Sequence, residues 1–276
     1  MSLQVEERYG AWRLADIPFD SIDVSMVHED DFLFFTLASA SFVEILAGTY
    51  SENLISHFHG DAKLTRWLKH IWQRDEVQHG RAIKRYVQTV WPEFDWDNAH
   101  RAFQAEYISL CTVERLESQR ALELMARCVV ETGTSSFYRA LRHYVREPVL
   151  RQLIGKIETD EISHYNQFRK YFASYNLVDC HRVTALVATI WRRLLGIRGE
   201  DAYVAFKYVY EGRHPDRRFL ESHWREYNRT VKLLSRHHYP HLMAVKMLIN
   251  PIPMMDAVKR VLQWPLVGFA LLMSFV

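Results

Sequence analysis

Two short segments constrain this chain more than any other feature. Residues 74–79 read Arg-Asp-Glu-Val-Gln-His and residues 159–164 read Thr-Asp-Glu-Ile-Ser-His. A Glu and a His three positions apart share one face of an α-helix, so each motif presents a carboxylate and an imidazole in the same direction. One such spacing means little in a chain with 14 His, and a third occurs at Glu211 and His214 without an Asp before it. Two copies that each begin with Asp, both inside helix-like stretches, are much harder to reach by accident. They require a fold that brings two helices together around a polar centre.

The rest of the chain is compatible with such a fold. Only 10 Gly and 8 Pro interrupt 276 residues, and apolar residues recur at i, i+3, i+4 and i+7 rather than alternating, so the chain reads as all-α. The net charge of +2 lacks the concentrated basic stripe of a nucleic-acid binder. Cys111, Cys128 and Cys180 form no Cys-x-x-Cys pair, which excludes a disulfide framework and a zinc-ribbon or rubredoxin site. A reducing cytoplasm is the expected compartment. Residues 1–10 carry charge where a signal peptide needs an apolar run. The longest uncharged run, residues 261–276, is broken by Pro265 and is too short to span a bilayer.

The helical pattern places an irregular arm at 1–28, a four-helix unit at 29–176 and a helical extension at 177–276. The first helix is expected over 30–57, with a turn at Gly60 and Asp61 as the next N-cap. The second covers 62–90 and stops at Trp91-Pro92. A third region runs from 97 to 146, bent or broken around 109–112. Pro148 opens the fourth, which reaches about 175, because proline is tolerated in a first turn. Further helices are expected at 199–212 and 215–238, followed by a Pro-interrupted apolar tail.

The missing partners of the two motifs can be found by level. Four-helix di-metal sites take a Glu-x-x-His pair from two helices and one inward Glu from each of the others. In an antiparallel hairpin, residues equidistant from the turn lie at one height. Counting back from Gly60, the level of Glu76 falls at Glu44, inside Phe42-Val43-Glu44-Ile45-Leu46. Glu52 would sit about 12 Å away from that level at 1.5 Å per residue. In the second hairpin the level of Glu161 and His164 falls at Glu131, inside Cys128-Val129-Val130-Glu131. A lone Glu on an apolar face ordinarily lies at its edge and reaches water. Four carboxylates and two imidazoles in one core have no such exit, and unpaired buried charge is very costly. Two divalent cations against four carboxylates sum to zero.

Carboxylate and imidazole without thiolate suit iron or manganese better than structural zinc. Six ligands from Glu44, Glu76, His79, Glu131, Glu161 and His164, shared by two metals, leave positions open for dioxygen or water. Asp75 and Asp160, each one residue before a ligating Glu, are placed to accept the second ring N–H of a ligating His. The small residues Ala40, Ser41, Ala47 and Gly48 near Glu44, and Cys128, Thr134 and Ser135 near Glu131, point to a dry cavity between the first and third helices or, equally, to close helix packing. Thr134, one turn from Glu131, has a hydroxyl that could relay protons beside the metals, or serves equally as a plain helix-packing residue.

This set, Glu44, Asp75-Glu76-x-x-His79, Glu131 and Asp160-Glu161-x-x-His164, resembles the ferritin-like di-iron carboxylate superfamily over residues 30–175. The doubled motif is similar to that of the hydroxylase subunits of bacterial multicomponent monooxygenases. Thr134, three residues after Glu131, matches a Thr of the acyl carrier protein desaturases. The resemblance implies a ferritin-like four-helix bundle with a C-terminal helical extension, two Fe ions (or Mn/Fe), and dioxygen as co-substrate. Two His argue against iron-storage ferritins, and the absence of Cys-x-x-Cys against rubrerythrins. Ile157 stands where arylamine oxygenases add a His, and Ile83 where ribonucleotide reductase small subunits carry a radical Tyr.

The expected activity is that of an oxygen-activating oxidoreductase, a monooxygenase or desaturase, acting on a hydrophobic small molecule or an acyl-carrier substrate. No flavin or nicotinamide motif is visible, so electrons would come from a ferredoxin or a reductase. The alternatives are an oxidase or peroxidase without organic substrate, marked by the lack of an apolar cavity, and a non-enzymatic metal-binding bundle. The basic stretch from His181 to Arg193 suits an acidic carrier or a membrane surface, though a solvated helix face explains it more simply. The apolar tail suits a tunnel cap, a homodimer interface or contact with lipid. His57, His59, His237, His238 and His241 belong at helix ends rather than at a metal.

Overall fold

A computed structural model describes residues 12–196 and 200–273, and among these the secondary structure is helical throughout, without strands. Residues 12–28 form an arm of short 3-10 turns. The first bundle helix comes in two pieces, α1 (Asp31–Ile45) and α2 (Ala47–His57), bent by 42°. Asp30 caps α1 by accepting from the Leu33 amide at 2.9 Å. Gly60 then adopts φ +90, a conformation open to glycine, and Asp61 accepts from the amides of Lys63 and Leu64 to start α3 (Ala62–Trp67). A π-helical turn, Leu68–Trp72, joins α3 to α4 (Gln73–Val90).

The expected third helix is two elements. Helix α5 (Trp96–Tyr107) packs on α1 and on α9 of the extension, and short turns occupy 108–119 before α6 (Arg120–Tyr144). Only α6 belongs to the hairpin with α7 (Pro148–Asp179). Pro148 sits in the first turn of α7, and Glu147, fully buried, accepts from the Val149 and Leu150 amides and from the Tyr86 hydroxyl. That carboxylate caps one helix and satisfies a hydroxyl on another.

Beyond Asp179 the extension is more helical than its sequence pattern indicates. It comprises α8 (Val183–Gly196), α9 (Glu200–Arg213), α10 (Glu221–His238), α11 (His241–Ile249) and α12 (Asp256–Met273), the last carrying Pro265 inside it. Val204, Ala205 and Val209 of α9 join the buried cluster of α1 and α4. Leu186 of α8 and Met247 of α11 join a second cluster, built around Trp72, Cys128 and Phe168. Among the described residues no single helix is long and apolar enough to cross a membrane. Only the bent pair α1–α2 passes such a test, and α1 carries the buried Glu44.

The two apolar clusters lie toward opposite ends of the four long helical stretches, with the residues of the Asp-Glu-x-x-His motifs between them. At that level α4 approaches α1 very closely. A Cβ on Gly80 would stand 2.5 Å from the Ile45 amide nitrogen and 3.0 Å from the Glu44 carbonyl carbon. Backbone cannot yield as a flexible side chain can, so Gly80→Ala must push α1 away from α4. We expect a net loss of about 1–2 kcal/mol in urea denaturation, overpacking outweighing alanine's helix preference of about 1 kcal/mol over glycine. Unchanged or increased stability would contradict the close approach.

Candidate metal centre

All six candidate ligands converge. Glu44, Glu76, His79 and Glu161 offer ligand atoms within 4.8 Å of one another, and so do Glu76, Glu131, Glu161 and His164. Glu76 and Glu161 belong to both groups, which gives the centre two halves joined by two carboxylates. Each arrives by a separate local reason. Glu44 is the next-to-last residue of α1, just before the break at Leu46. Glu76 and His79 lie one turn apart on α4, Glu131 on α6, and Glu161 and His164 on α7. Every one is at least nine-tenths buried, His79 completely.

The imidazoles are held from outside by a crossed arrangement. His79 Nε2 lies 3.0 Å from Asp160 Oδ2, and His164 Nε2 lies 3.1 Å from Asp75 Oδ2. Each motif's Asp therefore accepts from the other motif's His, tying α4 to α7 twice. With Nε2–H donated outward, Nδ1 is the nitrogen left facing the centre in both rings. Trp12 of the N-terminal arm also donates its Nε1 to Asp160 Oδ2 at 2.7 Å and stacks near His79.

The inward atoms find partners only within the centre. Glu76 Oε1, His79 Nδ1, Glu131 Oε2, Glu161 Oε1 and His164 Nδ1 are buried and face only one another: His79 Nδ1 lies 3.3 Å from Glu161 Oε1, and His164 Nδ1 lies 3.2 Å from Glu76 Oε1 and 3.8 Å from Glu131 Oε2. Five at one point, all of ligand type, constitute a donor set that fits metal ions. The opposite carboxylate oxygens are satisfied. Tyr138 donates to Glu44 Oε1 at 2.6 Å, Thr134 to Glu161 Oε2 at 2.6 Å, and Trp72 Nε1 to Glu131 Oε1 at 3.1 Å.

Without metal, protons restore part of the charge balance. Burial, with Glu76 and Glu161 beside it, raises the Glu44 carboxyl well above its usual value. Burial and the same kind of repulsion, from Glu161 and Glu76, raise Glu131. For His79 burial works downward, but hydrogen bonds to Asp160 and Glu161 win and raise it; for His164 those to Asp75 and Glu76 do the same. Burial opposes ionisation of Glu161, yet His79 and His164 hold it down at about 2.

A cavity of about 320 Å³ opens directly onto Glu44, Glu76, Glu131 and Glu161 between α1–α2 and α6. Thr134 lines it. The small residues Ala40, Ser41, Ala47, Gly48, Cys128 and Ser135 do not; its walls near the centre are Val43, Tyr50, Leu54 and Val130. Ser41 instead bonds the Ala38 carbonyl and accepts from Trp96 of α5, Ser135 bonds the Glu131 carbonyl, and Gly48 faces Gln73. The outer wall comes from Gly196 of α8 and 200–202 of α9, so the extension's first two helices, not its apolar tail, cover this cavity.

Sequence reasoning did not assign Tyr50, Trp72, Tyr138 or Trp12 to the centre, though Tyr50 donates to Glu76 and Trp72 to Glu131. Tyr138 stands seven residues, two turns, after Glu131, a signal that was available. Trp12 reaches Asp160 from a remote irregular segment and left none. His57, His59, His237, His238 and His241 lie at helix ends or turns, as anticipated. No protein-family model and no curated protein matches this chain.

The proton inventory has a testable sign. Groups whose folded pKa is raised (His79, His164, Glu44, Glu131) contribute stability that is full below their ordinary values, 6.5 for His and 4.5 for Glu, and is lost as pH climbs through the raised values. The contribution of Glu161 is present above 4.5 and fades only as pH falls toward about 2. The metal-free chain should therefore become less stable as pH rises above 6.5. Metal binding displaces those protons, so saturating divalent metal should reverse or flatten the trend. Urea midpoints at about pH 6 and about pH 8.5, with chelator and with metal, check both signs.

Proposed function

We propose that this chain is an oxygen-dependent di-iron oxidoreductase with a ferritin-like four-helix bundle, a monooxygenase or desaturase that oxidises a small organic molecule. The observation that carries the reading is the convergence of buried ligand atoms that pair only with one another, with Glu76, Glu131 and Glu161 among them lining a partly apolar cavity. A closed structural site would have no need of that opening. An oxidase or peroxidase without organic substrate would have no need of the apolar walls Val43, Leu54 and Val130. Two iron ions, or manganese with iron, would bind dioxygen and accept the electrons that reduce it.

The protein's own groups have separable tasks. Glu44, Glu76, Glu131 and Glu161 supply the negative charge that retains two divalent cations. Asp75 and Asp160 fix the ring orientation of His164 and His79 and raise their basicity as ligands. The hydroxyl of Thr134, 2.6 Å from Glu161 and exposed to the cavity, holds a proton at the edge of the centre and can pass it inward. The apolar walls keep water from the reacting atoms. Electrons come from a separate ferredoxin or reductase, because the sequence holds no flavin or nicotinamide motif.

The reading predicts two ferrous ions per chain under anaerobic conditions and an oxygen-dependent visible absorption when dioxygen is admitted. Glu161→Ala, which removes a carboxylate common to both halves, should lower the stoichiometry to one ion or fewer and abolish the absorption. Thr134→Val should keep two ions but slow oxygen consumption by at least about tenfold, the lower range for losing a positioned proton donor. A chain that takes up no iron, or takes it up without any response to dioxygen, would falsify the proposal.

A further inference from the structure

The outer end of the cavity carries charge that the metal centre does not use. Arg115, Arg127 and Arg193 line it, together with Glu200 and Asp201. Two of these cations are already matched. Arg115 pairs with Glu200 at 2.7 Å, and Arg127 Nε lies 2.8 Å from Glu123, one helical turn earlier. Arg193 of α8 is different. Among the described residues no carboxylate lies within ion-pairing distance of it, and its buried Nε has no hydrogen-bond partner.

The neighbourhood of Arg193 favours an incoming anion. Arg127 beside it, then burial, push its pKa down to about 10 against the opposing pull of Glu123, Asp201 and Glu117, so it stays charged at neutral pH with no carboxylate in direct contact. The cavity therefore has an anion-seeking outer end, tyrosine and aliphatic walls, and the metal-ligand carboxylates at its inner end. Its 320 Å³ lies at the lower end of small-molecule pockets, too small for a long acyl chain lying fully inside.

We propose that this cavity takes a compact organic acid whose carboxylate pairs with Arg193 while its apolar body points toward Glu44 and Glu131. The geometry suits this class because a guanidinium presents two parallel N–H donors that match a carboxylate. Holding the charged head at the outer end leaves the uncharged end as the part that meets the centre. A cationic or neutral substrate would leave Arg193 half-buried and unmatched. This assignment of substrate class rests on the oxidoreductase reading, and separate readouts distinguish failure of one from failure of the other.

The probes are benzoate and its neutral isostere benzamide, titrated calorimetrically into the full chain, both iron-loaded under anaerobic conditions and stripped with chelator. We expect benzoate to bind at least about tenfold more tightly than benzamide in both forms, as a charge-assisted bidentate pair implies. Arg193→Gln should bring that ratio close to one with benzamide affinity unchanged within about twofold, which also reports that the pocket is intact. Arg193→Lys should give an intermediate ratio. Equal binding of the two probes by the unaltered chain, or a benzoate preference that survives Arg193→Gln, overturns the proposal; the latter would place the anion on the metals. Iron stoichiometry and oxygen response, measured on the same samples, stay at their unaltered values if only the substrate assignment is wrong.

Discussion

Everything in this structure depends on enclosing mutually repelling carboxylates in a protein interior. Four Glu side chains in one place cannot remain charged in a low-dielectric core without cations or protons among them. The surrounding architecture answers that demand at several levels. Apolar clusters lie above and below the polar layer, so the carboxylates cannot escape to water along the helix axes. Tyr138, Thr134 and Trp72 neutralise the outward oxygens with hydrogen bonds. The inward atoms pair only with one another, in a grouping that could hold metal ions.

The crossed pairing of Asp75 with His164 and Asp160 with His79 couples the ligands to the fold. Within one motif, Asp and His are four positions apart, yet neither Asp bonds its own His. Each bond instead bridges α4 and α7, so orienting the imidazoles and joining the two hairpins are one act. Trp12 adds the N-terminal arm through its bond to Asp160. The extension takes part on the opposite side, where α8 and α9 wall the cavity. Residues far from the motifs in sequence thus decide which molecule can reach them.

Much of the centre was legible because helices are regular. A rise of 1.5 Å per residue and two recognisable turns, Gly60-Asp61 and Glu147-Pro148, sufficed to match Glu44 with Glu76 and Glu131 with Glu161. What failed did so where regularity fails. Treating 30–57 as one straight helix put Ala47 and Gly48 on the cavity face, but the break at Leu46 turns that segment, and Tyr50 and Leu54 line the cavity instead. Residues 96–107 read as the start of the third helix because an amphipathic pattern identifies a helix without saying what it packs against. Proline in the apolar tail suggested interruption, and Pro251 and Pro253 do lie in the break between α11 and α12, but α12 accommodates Pro265. Trp12 could not be found, since nothing in a local pattern records a contact made 148 positions away.

The backbone irregularities of the four long helical stretches gather around the polar layer. The break at Leu46 comes two residues after Glu44, and the π-helical turn Leu68–Trp72 ends four residues before Glu76. A π turn inserts an extra residue into the helical count and rotates the helix beyond it, and such turns are frequent at functional sites. Here the inserted turn rotates α4 while placing the Trp72 indole against Glu131. The close approach at Gly80 brings α4 onto the Glu44 end of α1, and the bend after that end opens the space in which Tyr50 stands. An apolar core alone would be packed equally well by straight helices. Departures concentrated at one level, each of which moves a ligand or a cavity wall, are what a requirement of the polar centre on its scaffold would produce.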